Sequence, residues 1–192
     1  MSSRTQIVCL HEGERGRSID PVFINRLVRS LKPGWIRPFK GSNLVRPIDC
    51  GGRKSLIEKM PSELRKCLAQ RGHTTLMVWA DLDDDMEAGD DLKAAFWSEA
   101  QSQGITQPEF ALVVFMFAKH RLENWIQYLL DGATDESVKG PRVKHNRVVA
   151  KAAVKLADRC KQGQANPPLP PSLEWSCRNW RQLAERIRSS SQ

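Results

Sequence analysis

Two short, nearly unbroken apolar runs constrain this chain more than any other feature: Thr75 to Ala80, TLMVWA, and Phe110 to Phe117, FALVVFMF. A strand with one wet face alternates apolar and polar side chains. A short run that is apolar throughout reads instead as a strand buried on both faces, the usual condition in a parallel sheet. Parallel neighbours need long crossover connections, most often helices, so helical segments are expected around and between these runs.

The rest of the chain supplies them. Gln6 to Leu10, QIVCL, reads as a first strand. Asp20-Pro21 provides a helix cap followed by a proline at the first helical position; Phe23, Leu27 and Leu31 form an apolar side, and Pro33-Gly34 stops the helix. Trp35 to Cys50 holds one or two short extended segments, and Gly51-Gly52 leads into a helical stretch that Pro61 is expected to interrupt before it ends at Gly72. Leu92 to Gln103 reads as a helix closed by Gly104, and Arg121 to Leu130 as another, with Leu122, Trp125, Ile126, Leu129 and Leu130 at helical spacing and Asp131-Gly132 as its exit. The expected fold class is therefore α/β: a single domain with a mainly parallel, about four-stranded sheet, flanked by helices on both faces through right-handed crossovers. Residues 1–136 form this core, and residues 137–192 a basic helical extension packed on or beside it. The extension contains a helix near Arg147 to Lys161, a proline-rich linker from Asn166 to Pro171, and a last helix from about Ser176 to Ile187.

Charge divides the chain more sharply than its net +8 suggests. Residues 1–80 carry 15 Lys and Arg against 6 acids, and residues 137–192 carry 12 against 3, whereas residues 81–99 hold 8 acids against Lys93 alone. Two basic flanks thus surround one acidic island, which begins where the TLMVWA strand ends. Basic flanks favour an anionic partner, nucleic acid first. The five cysteines, Cys9, Cys50, Cys67, Cys160 and Cys177, include no C-x-x-C pair, so neither a zinc ribbon nor a disulfide framework is expected, and a reducing compartment is. The apolar run before His11 is too short for a signal-peptide core or a membrane span. A cytoplasmic protein with no membrane partner is expected.

Three strand ends carry acids. The first leads into His11-Glu12-Gly13-Glu14, the third into Asp81-Leu82-Asp83-Asp84-Asp85, and the fourth through Lys119-His120-Arg121 into Leu122-Glu123-Asn124-Trp125. In open α/β sheets the carboxyl ends of the strands are where ligands gather, so these carboxylates converge if the strands are neighbours. Gly13 allows close backbone approach, and Asp81 and Asp83, two apart in an extended segment, point the same way, with Asp85 next on that side. Unpaired carboxylates held together repel one another, and a hard divalent cation such as Mg²⁺ relieves the repulsion.

In these motifs the chain resembles the Toprim domain of topoisomerases, bacterial primases and OLD-type nucleases, and most of all small stand-alone Toprim-like bacterial proteins. The likeness covers roughly residues 5–135. It rests on Glu12-Gly13, on Asp81-Leu82-Asp83, and on the helix carrying Glu123-Asn124-Trp125-Ile126 followed by Leu129-Leu130. The resemblance implies a Mg²⁺- or Mn²⁺-dependent nuclease, with service in bacterial defence or repair as an association only. Under it Asp81, Asp83, Asp85 and Glu12 hold the ion, Glu12 alternatively acts as acid or base, and Glu123 serves a second ion. Lys119 and Arg121 face the charge that develops at phosphorus. Arg121, Arg142, Lys144, Arg147 and Lys151 hold the nucleic-acid backbone.

Each assignment has a plainer alternative. Glu123 is equally a first-turn acid favoured by the helix dipole. Trp125 fits core packing better than base stacking, and Trp175 and Trp180 fit the docking of a terminal helix. The basic residues of the extension are either a nucleic-acid groove or the solvated side of a helix. At the level of function, the alternative is a non-catalytic nucleic-acid-binding or complex-forming subunit. It would work with a partner such as an ATPase, because the chain has no G-x-x-x-x-G-K-[ST] loop of its own. A phosphatase with Asp81 as nucleophile is a third reading, disfavoured by the lack of Ser or Thr just after Asp83.

Overall fold

The computed structural model of the chain describes residues 5–13, 18–31, 44–70, 73–83, 89–162 and 168–189. Four parallel strands form one sheet, β1 (Thr5–His11), β2 (Val45–Asp49), β3 (His73–Leu82) and β4 (Val114–Lys119), in the order β2-β1-β3-β4. They are joined by α1 (Asp20–Leu31), α2 (Arg53–Ala69), α3 (Gly89–Ser102) and the short α4 (Gln107–Phe110), and followed by α5 (Leu122–Asp131), α6 (Asn146–Gln162) and α7 (Pro171–Ser189). The expected α/β class and flanked parallel sheet are what the structure shows.

Strand alternation divides the core into two layers. Ile7 and Cys9 of β1, Met77 and Trp79 of β3, and Val114, Met116 and Ala118 of β4 face α1, α5, α6 and the start of α7. Val8, Leu10, Leu76, Val78, Ala80, Leu82, Phe115 and Phe117 face α2 and α3. Both faces are dry, which is why the two runs show no alternation. In the first layer Trp79 contacts Phe23 and Trp125 ring to ring. Phe96 stacks on Phe117 in the second.

Several boundaries differ from the sequence expectation, for physical reasons. Pro61 does not interrupt α2, which runs through it. Leu56, Met60, Leu64 and Cys67 are buried on either side, and that packing outweighs one missing amide hydrogen bond. The apolar run from Phe110 is not strand throughout. Thr106 and Glu109 form a reciprocal capping box that keeps Phe110 in α4, and β4 starts only at Val114. The last helix starts earlier than expected, at Pro171, and so absorbs the end of the proline-rich linker. Asn166 and Pro167 of that linker, like Pro33-Gly34, lie outside the described residues.

α7 does more than cover the sheet. β4 is an edge strand, whose outward main-chain groups need partners. The Ser176 hydroxyl accepts from the Phe117 amide at 2.9 Å and donates to the Phe117 carbonyl at 3.2 Å. The Ser172 hydroxyl accepts from the Lys119 amide at 3.2 Å and from the Trp125 indole at 2.8 Å, and donates to Glu136. Two serines one helical turn apart thus take the place of a fifth strand. Val149, Ala152, Ala153, Leu156, Ala157, Leu173, Cys177 and Trp180 join the first core layer, so residues beyond 136 contribute to the same core as the sheet.

Candidate functional site

β1 and β3 lie side by side, but their connections leave in opposite directions, β1 to β2 and β3 to β4. This divergence is the switch point, at the carboxyl ends of the inner pair, where open α/β sheets form a ligand crevice. The last residue of β1, His11, pairs with Trp79, and β3 continues three residues farther, so Asp81 and Leu82 pair only with Ala118 and Lys119. Asp81 is thus the penultimate residue of β3 rather than the first after it. It follows the parity of Met77 and Trp79 and so shares their face. α1 begins there with Asp20, and α5 with Glu123 in its first turn.

The electrostatics follow from that placement. Burial first, and then the charges of Asp20, Glu12, Glu123 and Asp83, together raise the Asp81 carboxyl from an ordinary value of 3.8 to about 8. Among the described residues, no hydrogen bond or ion pair reaches its carboxylate; only its main-chain carbonyl is engaged, by Arg53. Burial likewise raises Glu12, against the lowering effect of a hydrogen bond from Arg53 and of its charge. Asp20 is raised by burial, although Ser18 and His11 favour its ionised form.

Sequence reasoning missed Arg53, the first residue of α2. Its Nε donates to Glu12 Oε1 at 3.0 Å, and its Nη1 lies 2.9 Å from Asp83 Oδ2. A third contact runs from Nη2 to the Asp81 carbonyl. The side chain reaches the crevice because Gly51 and Gly52, with φ of 71° and 130°, turn the chain sharply from β2 into α2. Gly51-Gly52-Arg53 at a strand-to-helix junction is the sequence signal for this residue.

The remaining predicted residues fall as follows. The side chain of Asp83 is 62% exposed and points to Arg53, not into the sheet. Lys119 Nζ donates to the Asp83 carbonyl at 2.9 Å, so it braces the same turn. Arg121 caps α5 in extended backbone and is half-buried. Arg142, Lys144, Arg147 and Lys151 are exposed. Asp85, like Glu14 and Asp84, lies outside the described residues.

His11 is fully buried. Its Nε2 is 3.0 Å from Asp49 Oδ1 and its Nδ1 3.8 Å from Asp20 Oδ2, neither approach being in line for a hydrogen bond. Trp125 is core, as its helical spacing suggested, and Trp175 stacks on Phe117 with its indole N–H 3.1 Å from Asp90 Oδ1.

Asn124 builds the far rim. Its buried amide donates to the Val138 carbonyl at 2.9 Å and accepts from the Gly140 amide. A Cβ on Gly140 would lie 2.3 Å from Asn124 Oδ1, so only glycine fits. The latch brings the 138–140 segment back to the start of α5, which sets the exposed Lys139 and Arg142 beside the end of the molecule that carries Glu123.

Among the described residues, no three His, Cys, Asp or Glu side chains form a ready metal cage. An all-oxygen pair such as Glu12 and Asp81 still suits Mg²⁺, which is commonly held by one or two carboxylates and keeps several waters. No described helix is long and apolar enough to cross a membrane. No family model, curated protein or solved structure matches this chain. The likeness to Toprim domains therefore stands on the residues named above.

Proposed function

We propose that the β1–β3 crevice is a divalent-cation site for phosphodiester chemistry on nucleic acid, of the Toprim-like nuclease kind. The observation that supports this is the Asp81 carboxylate, part-buried at a strand end among four other carboxylates, with no hydrogen bond reaching it among the described residues. Such a group either stays protonated or awaits a cation.

A bound Mg²⁺ or Mn²⁺ would polarise a phosphoryl oxygen and lower the pKa of water. Asp81 and Glu12 would hold it from adjacent strands. In its alternative role, with Asp81 holding the ion, Glu12, itself raised by burial, would take a proton from the attacking water. Lys119 and Arg53 keep the Asp83 turn in place through its carbonyl and its carboxylate. Arg121, Arg142, Lys144, Arg147 and Lys151 would neutralise phosphates, making binding salt-dependent.

One observation favours the second reading, a non-catalytic nucleic-acid-binding or complex-forming subunit that works with a partner such as an ATPase. Arg53 already pairs with Glu12 and Asp83, so part of the acidic charge is compensated without any ion. Cleavage of single- and double-stranded DNA and RNA with Mg²⁺ or Mn²⁺ separates the two. Wild type is expected to cut, and Asp81→Asn and Glu12→Gln to lose at least about a hundredfold in rate, the low end of a lost acid–base or metal contribution. Binding without cutting by every form would leave the second reading.

A further inference from the structure

Of all the side chains at the crevice, Arg53 joins the most acidic groups, and it does so from outside the β1–β3 pair. Its guanidinium bridges Glu12 Oε1 at 3.0 Å and Asp83 Oδ2 at 2.9 Å while bonding the Asp81 main chain. It is itself only 20% exposed. A guanidinium presents five donors in a fixed fork and stays charged at any physiological pH. It therefore holds a unit of positive charge where carboxylates from β1 and β3 meet.

We infer that Arg53 is the resident countercharge of this cluster and competes with the divalent ion for Glu12. The inference rests on the cation site proposed above and concerns how its occupancy is set. In the ion-free protein the guanidinium relieves repulsion between Glu12 and Asp83 and fixes the turn after β3. An arriving ion meets two opposing effects, one ligand already paired and a positive charge nearby. Gln in place of Arg53 removes the charge while keeping a hydrogen-bonding amide, and Lys keeps the charge on a different stem. The ion then binds to a more negative cluster in the glutamine variant. This assigns Arg53 a positioning role in the unloaded site and makes it the residue that weakens ion affinity.

The test is Mn²⁺ binding followed by the paramagnetic resonance of free Mn²⁺, on wild type, Arg53→Gln and Arg53→Lys. The expected result is about tenfold tighter binding by Arg53→Gln, the order given by removing a unit charge about 5 Å from a divalent ion in a water-like dielectric. Arg53→Lys should stay within about threefold of wild type. Unchanged or weaker binding by a folded Arg53→Gln, beside a wild type that binds, overturns this inference and leaves the cation site standing. No binding by either form overturns both. Should Arg53→Gln not fold, the wild type supplies the test through the ¹⁵N resonance of the Arg53 Nε–H. That signal should shift as diamagnetic Mg²⁺ is added and the Glu12 contact is released; an unmoved signal at saturating Mg²⁺ overturns the competition.

Discussion

Replacing Asp81 with asparagine should stabilise the ion-free protein, and only in the upper part of the pH range. The unfolded chain holds this carboxyl near 3.8, while burial and four neighbouring acids raise it to about 8 in the folded state. Below about pH 4 the group is protonated in both states and contributes nothing. As pH rises from about 4 to about 8, the unfolded state releases a proton that the folded state keeps, so folded stability falls across that window and the loss is complete above it. Each unit is worth about 1.4 kcal/mol, so a rise of about four units sets an upper bound of about 6 kcal/mol. Side-chain relaxation and water entry make about 3 kcal/mol the expected gain for Asp81→Asn at pH 8.5, with almost none at pH 4. Urea unfolding of both proteins with a chelator present, at pH 4, 6 and 8.5, measures this directly. A difference that does not grow with pH, or that favours wild type at pH 8.5, refutes the account of Asp81 as an uncompensated buried acid. Adding Mg²⁺ in place of the chelator should stabilise wild type at pH 8.5 and leave Asp81→Asn nearly unchanged, because ligand binding to the folded state alone adds stability by mass action.

Three further outcomes test other links. Ser176→Ala removes the hydroxyl that serves both the Phe117 amide and carbonyl in a buried setting, and is expected to cost about 1–3 kcal/mol in urea unfolding, against near zero for Ser102→Ala at an exposed helix end. Gly140→Ala drives a Cβ into Asn124 Oδ1 and should break the latch, seen as faster amide hydrogen exchange at position 140 with the sheet amides unchanged. Changing exposed Lys144, Arg147 and Lys151 together to glutamine should reduce the slope of log affinity for duplex DNA against log salt by about 2 to 3; an unchanged slope would assign these residues to solvent.

Much of the fold was legible because β3 and β4 are dry on both faces. A residue pair such as Val78 and Trp79 must then be apolar at both positions, and the resulting run identifies a parallel sheet before any helix is placed. What was not legible depended on contacts distant in sequence. Pro61 stands inside α2 because residues before and after it pack on the sheet, and periodicity within the helix does not reveal the strength of that packing. Ser176 reads as an ordinary helix residue and Ser172 falls before the expected helix, and their use as an edge-strand substitute appears only once β4 is known to lie at the margin.

The site shows the same division more sharply. Glu12 and Asp81 were found because a strand end is a local feature, and both fall at the carboxyl ends of neighbouring strands. Their chemical environment is not local. Asp81 is surrounded by charge from α1, α5 and the turn after β1, and its raised pKa comes from burial on a face that strand parity alone assigns. Arg53 is not visible from sequence proximity, because the residue that compensates these acids arrives from the far side of β1, across a two-glycine turn. Carboxylates clustered at a sheet edge therefore imply a positive group somewhere in the fold or in solution. Here Arg53 supplies one unit of it to Glu12 and Asp83, and among the described residues none reaches the Asp81 carboxylate, so Asp81 is the group on which a divalent ion would act.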